Sequence, residues 1–220
     1  MSPDRSKPDL TFVNLTHQAL RADGARLVAT VTALEPRDQG SRLPGVREFY
    51  DNYREQLVAH HTHEDTLFYP ALAARVGDDR MHRDELVAQH HQLDRVLQAV
   101  GEGLADLADP DGAFSANRAR AARDLSTMVE ELNTHLDFEE RTALPLFVSE
   151  MPVAEYKKLE SKARKATPRG QSSFLIPWIV EHASPDQRKA LFKSAPPLRI
   201  VNRLNGRRYR RLDEALLPTN

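Results

Sequence analysis

The 220-residue chain contains no cysteine. This excludes disulfides, iron–sulfur clusters and thiolate zinc sites, so any bound metal must use nitrogen and oxygen ligands. Long apolar runs are also missing. Met1 to Leu10 shows no signal peptide and no stretch approaches transmembrane length, so a cytoplasmic protein with no membrane partner is expected. Neither sign of charge dominates: the formal net charge is −1, which gives no global pull toward nucleic acid. No segment alternates with period two, so strands are not expected.

Hydrophobic residues make up 40% of the chain, enough for a real core, and the 29% of charged residues is typical of a helix-rich domain. Glycine and proline punctuate four long helical stretches, about Asp9–Leu34, Val46–Pro70 or a little beyond, Asp79–Leu107 and Ser115–Leu144. The turn Asp109-Pro110-Asp111-Gly112 separates the last two. Short connections predict an all-α, antiparallel up-down-up-down four-helix bundle over residues 1–150. Residues 151–220 read as a helical extension packed on the bundle. It comprises a charged helix Val153–Ala166, a polar linker Thr167–Ser173, the apolar segment Phe174–Val180 with the only tryptophan, and a helix start at Ser184-Pro185-Asp186.

Two segments 75 residues apart repeat one pattern: His60-x-x-x-Glu64 with Asp65 and Pro70, and His135-x-x-x-Glu139 with Glu140 and Pro145. On a helix, i and i+4 share a face, so each pair sets an imidazole one turn from a carboxylate. Bridging carboxylates flanked by histidines are what two adjacent iron ions need. Helical phase places His60 with Tyr53, Leu57, Glu64 and Leu67, and His135 with Leu132 and Glu139. It aligns His90 with Leu86, Leu93 and Leu97, and His17 with Val13 and Leu20. Depth agrees: at ~1.5 Å per residue the four histidines lie ~12–16 Å from corresponding helix ends. One inward histidine is ordinarily a satisfied core residue. Four with two carboxylates at one level would leave several buried polar groups without partners, at about 1–3 kcal/mol each.

The predicted metal ligands are therefore His17, His60, Glu64, His90, His135 and Glu139, with no catalytic group beyond them. Asp65 and Glu140 read as outer acceptors or site-mouth charges, and either could replace its neighbour as the bridge if the helix rotates. His61, His63, His82 and His91 fall off the inward stripes and read as solvated, with His61 and His91 able to enter if the phase shifts. His182 reads as structural.

The inward His17, the two His-x-x-x-Glu segments with trailing Phe-Tyr-Pro and Leu-Pro, and His90 resemble the hemerythrin-like, or HHE cation-binding, family over about residues 9–148. The extension looks like one seen in some actinobacterial relatives. The resemblance implies a four-helix bundle holding two non-haem irons bridged by oxo, hydroxo or water. Two departures stand out. Oxygen carriers of the family have a second third-helix histidine one turn away, where this chain has Leu86 and Asp94. They also place the fourth-helix carboxylate five residues after its histidine, which would be Glu140.

The leading expectation is a cytoplasmic non-haem di-iron protein that binds or reduces hydrogen peroxide, oxygen or nitric oxide. Peroxidase- or catalase-like activity and a role in oxidative stress would follow. His17 and His60 would sit on one iron, His90 and His135 on the other, with Glu64 and Glu139 between, and zinc or manganese could use the same donors. The alternative is an oxygen or iron sensor, or an interaction module, working through the basic tail. Arg203, Arg207, Arg208, Arg210 and Arg211 could meet phosphate. The plainer reading is a solvated helix paired with Asp213 and Glu214, with nucleic acid not expected as a partner and the oligomeric state open.

Overall fold

The computed structural model describes residues 7–217; the outer ends of the two expected segments, 1–6 and 218–220, lie outside the described residues. The described chain is all-helical, with no strand among the described residues. Helix α1 (Thr11–Ala33) buries Leu15, Leu20, Leu27 and Val31, and stops where Leu34 turns extended ahead of Pro36. Helix α2 (Leu43–His63) starts earlier than its apolar stripe suggests, because Pro44 fits the first turn, where no backbone donor is needed.

After His63 the helix widens into a π turn, Glu64–Phe68, before α3 (Tyr69–Val76). Pro70 has no N–H to give the carbonyl of Thr66, and the wider turn accommodates the missing bond. Gly77, at φ 85°, closes α3 in a conformation that disfavours any side chain. A short α4 (Asp78–Met81) and a left-handed His82 lead into α5 (Arg83–Leu107), and α6 (Phe114–Glu150) continues past Pro145. Gly112 N–H donates to Asp109 O at 3.1 Å in the turn between α5 and α6.

The extension holds α7 (Val153–Ala166), α8 (Arg169–His182), α9 (Pro185–Ser194) and α10 (Pro197–Asp213). The expected linker Thr167–Ser173 is mostly helix: α8 begins at Arg169. Local polarity suggested a loop, but burial of Phe174, Trp178 and Ile179 favours a continuous helix that carries them inward. Ser184 caps α9, accepting from Gln187 N while Gln187 bonds back.

Helix α6 packs against α5 and α1, and the extension reaches α1 and α2 through α8 and α10. Apolar side chains of bundle and extension share one core that includes Leu20, Tyr53, Leu132, Trp178 and Tyr209. A second apolar cluster contains Tyr69, Leu72, Leu86, Ala143 and Phe147. The boundary falls at one level on three helices: Leu57 and Tyr69 on the α2–α3 path, Leu93 and Leu86 on α5, Leu136 and Ala143 on α6. The polar layer lies between them.

A buried carboxylate ties the extension to the bundle. Asp23 is fully buried and accepts from Trp178 Nε1 at 2.7 Å, His182 Nε2 at 2.9 Å and Arg26 Nη1 at 2.6 Å. Burial alone would raise its pKa, but the bond and charge of His182, then Arg26 and Trp178, hold it below the ordinary carboxylate range. Arg26 also reaches Asp213 of α10 at 2.7 Å. The expected pairing of the tail arginines with Asp213 and Glu214 is therefore not formed. Arg26 holds Asp213, and Glu214 makes no ion pair among the described residues.

Candidate metal centre

Each of the four long helices contributes an imidazole to one buried layer. His17 Nε2 lies 3.1 Å from His60 Nε2, and His90 Nε2 lies 3.1 Å from His135 Nε2. Glu64 faces both pairs, with Oε1 3.1 Å from His60 Nε2 and Oε2 3.6 Å from His90 Nε2. Glu139 Oε2 sits 3.4 Å from His17 Nε2. All six residues singled out from the sequence are thus brought together. His17, Glu64, His90, His135 and Glu139 are buried, and His60 keeps 13% of its side chain exposed.

A seventh residue joins them. His61, expected to be solvated, is buried, and its ring stacks on His90 at 4.0 Å between centroids with an 11° tilt. Its ring is edge-on to His135 at 5.1 Å. The apolar stripe Tyr50, Tyr53, Leu57 continues to His61 by a step of four as readily as to His60 by three, so both turn inward toward Glu64. The π turn then brings Tyr69, five residues after Glu64, back to the same side. Tyr69 stacks on His90, at 5.8 Å and 17°. In an unbroken α-helix Phe68, four residues after Glu64, would have held that place, and it is only half-buried here.

The other candidates stay out. His82 and His91 are exposed, and His63 is half-buried. His182 serves the Asp23 clasp. Asp65 and Glu140 point to the outer nitrogens: Asp65 Oδ1 is 2.9 Å from His90 Nδ1, and Glu140 Oε1 is 2.9 Å from His17 Nδ1. Gln89 Oε1 takes the same role for His135 Nδ1 at 3.1 Å. Arg21 anchors Glu140 at 2.7 Å, and the bond from His17 together with Arg21 lowers the Glu140 pKa to about 2.

These outer bonds fix the tautomers. An oxygen acceptor at Nδ1 requires the proton there, so neutral His90 and His135 both turn a bare Nε2 lone pair inward. Two lone pairs 3.1 Å apart repel unless a cation lies between them. A cation about 2.1 Å from two imidazole nitrogens holds them about 3 Å apart when its bonds lie near right angles, which fits both pairs. Burial is the main cause that keeps His60 and His61 well below the ordinary histidine pKa, and it takes His135 down to about 2. Burial, then the Glu139 charge, pushes Glu64 well up.

Orphaned atoms concentrate here too. Of seven buried side-chain polar atoms without a hydrogen-bond partner among the described residues, five line this layer: both His61 nitrogens, Glu64 Oε2, Glu139 Oε2 and Tyr69 OH. Nitrogen and oxygen donors fall into two groups, each spanning no more than 4.8 Å: His17, His60, Glu64 and Glu139, and His61, Glu64, His90 and His135. Both the donor set and the spacing fit metal ions.

Comparison with known proteins agrees in kind. The model of the hemerythrin HHE cation binding domain matches residues 9–147, more than half of the chain. No curated protein and no solved structure matches. The chain belongs to the hemerythrin HHE cation-binding domain family.

Proposed function

We propose that the two donor groups hold two irons and that the protein binds or reduces small oxidants: hydrogen peroxide, oxygen or nitric oxide. Glu64 belongs to both groups and would bridge. His17, His60 and Glu139 would complete one site, and His61, His90 and His135 the other. His61 supplies from α2 the imidazole that α5 lacks, since Leu86 is buried in the apolar core and Asp94 is exposed. The single observation that carries this reading is the facing Nε2 pair of His90 and His135, whose outer nitrogens are already committed to Asp65 and Gln89.

A bound iron pair would supply the redox capacity, and the chain's residues set its surroundings. Asp65, Glu140 and Gln89 hold the imidazoles in the tautomer that offers Nε2. The two apolar clusters on either side keep bulk water from the donors. Four protein donors per group leave room for a small ligand at a six-coordinate ion. Zinc or manganese would accept the same donors, so metal analysis comes first. With iron bound, peroxide should change the optical spectrum and be consumed; a protein unchanged by peroxide would end the oxidant reading.

The up-down-up-down order of the four long helices and the grouping of residues 1–150 with an extension at 151–220 belong to this proposal. The short turns and the shared layer support it. No helix is long and apolar enough to cross a membrane, and a cytoplasmic setting is part of the same reading. The sensing alternative draws on the Asp23 clasp, which links Trp178 and His182 of the extension to the helix that carries His17.

A further inference from the structure

Helices α8, α9 and α10 border a surface cleft of about 710 Å³ lined by Arg188, Arg199, Arg203, Arg207 and Arg210, with Glu181 as its one carboxylate among the described residues. None of these arginines makes an ion pair with a carboxylate among the described residues. Arg21, Arg26, Arg75, Arg80, Arg83 and Arg120 each hold at least one. Arg95, Arg123 and Arg141 hold none either among the described residues, so what sets the five apart is that one cleft gathers them. The tail's own Asp213 is taken by Arg26. Arg199, Arg203 and Arg207 recur every four residues along one face of α10, a spacing at which like charges repel. Arg188 comes from α9 and is oriented by its Nη2 donating to Val180 O at 3.0 Å and Ala183 O at 3.4 Å. The guanidinium of Arg199 lies over the Phe192 ring at 5.5 Å. Two of the five are thus held in place by their surroundings.

We propose that this cleft binds an anion carrying several phosphate groups. Five arginines and one carboxylate around the cleft call for about four negative charges, more than a single phosphate carries, and guanidinium pairs phosphate oxygens in a bidentate geometry. The volume suits a ligand of that size. Such an anion would relieve the repulsion along α10. The phosphate groups could belong to a soluble compound, such as a nucleoside triphosphate, or to a phosphorylated lipid headgroup.

The probe is sodium tripolyphosphate, titrated calorimetrically into the full-length, metal-loaded chain at low salt. We expect saturable one-to-one binding, weakened at least tenfold in the R203E/R207E variant. Both positions are exposed, and circular dichroism verifies the fold. The R95E/R123E variant carries the same charge change on the bundle and should bind like the parent. Vesicles containing a phosphoinositide bisphosphate distinguish the source. Retention that tripolyphosphate abolishes assigns the phosphates to a lipid, and no retention assigns them to a soluble anion. The proposal is overturned by absence of saturable binding up to millimolar tripolyphosphate, or by equal competition from sulfate at matched ionic strength. Equal loss in both charge-reversed variants, or vesicle binding that tripolyphosphate does not displace, would overturn it as well.

Discussion

The imidazole of His61 lies parallel to that of His90, 4.0 Å away, and neither of its nitrogens has a hydrogen-bond partner among the described residues. A buried ring with two orphaned nitrogens costs about 1–3 kcal/mol per group unless something binds it. This pair places a histidine of α2 where α5 offers only Leu86 and Asp94 on either side of His90.

His61→Ala should therefore reduce metal content, with the loss falling on the site shared with His90 and His135. His82→Ala and His91→Ala should retain the full amount. Elemental analysis of purified, iron-supplied variants checks this. Full occupancy in His61→Ala would remove His61 from the site.

Much of this layer was legible in the sequence. Helical phase and depth find His17, His60, Glu64, His90, His135 and Glu139, because each sits on an otherwise apolar stripe. His61 was legible only as a residue that a phase shift would bring in, because a stripe stepping by threes and fours allows either of two adjacent residues after Leu57. Tyr69 was hidden for another reason: the π turn before Pro70 shifts the phase by one residue. The Arg26–Asp213 pair joins residues 187 apart, so local rules could only match Asp213 with its neighbours.

Asp65→Ala and Gln89→Ala should each weaken metal binding about 10–100-fold, because the outer acceptor fixes the tautomer that offers Nε2. Competition against a chelator measures the loss, and saturating metal should restore the parent stoichiometry. Unchanged affinity in both variants would mean that the tautomers are set by something else.

The metal-free protein should lose stability as pH falls below about 6.5. Burial depresses the folded-state pKa values of His60, His61 and His135, so the unfolded chain binds more protons below that point. Their contribution is complete above the unfolded value and is lost as pH falls toward the folded ones. Glu64 acts oppositely: its raised pKa gives a contribution present below the unfolded carboxylate value and lost as pH rises toward the folded one. Three imidazoles against one carboxyl give a net uptake on unfolding of up to about two protons between pH ~4.5 and ~6.5. Denaturant melts across that range test the sign, and stability that rises on acidification from pH 6.5 to 5 would contradict it.

Asp23→Ala should destabilise the protein by about 3 kcal/mol, since it leaves Trp178, His182 and Arg26 around a vacated carboxylate. Trp178 is the only tryptophan, so its fluorescence reports the event directly. A variant with the parent's melting temperature and emission would show that the clasp is not what holds the extension.

The most direct test of the metal pair is anomalous diffraction at the iron edge from crystals of iron-loaded protein. Two peaks per chain are predicted, one among His17, His60, Glu64 and Glu139 and one among His61, Glu64, His90 and His135. A single peak, or two peaks with His61 bound to neither, would contradict the account.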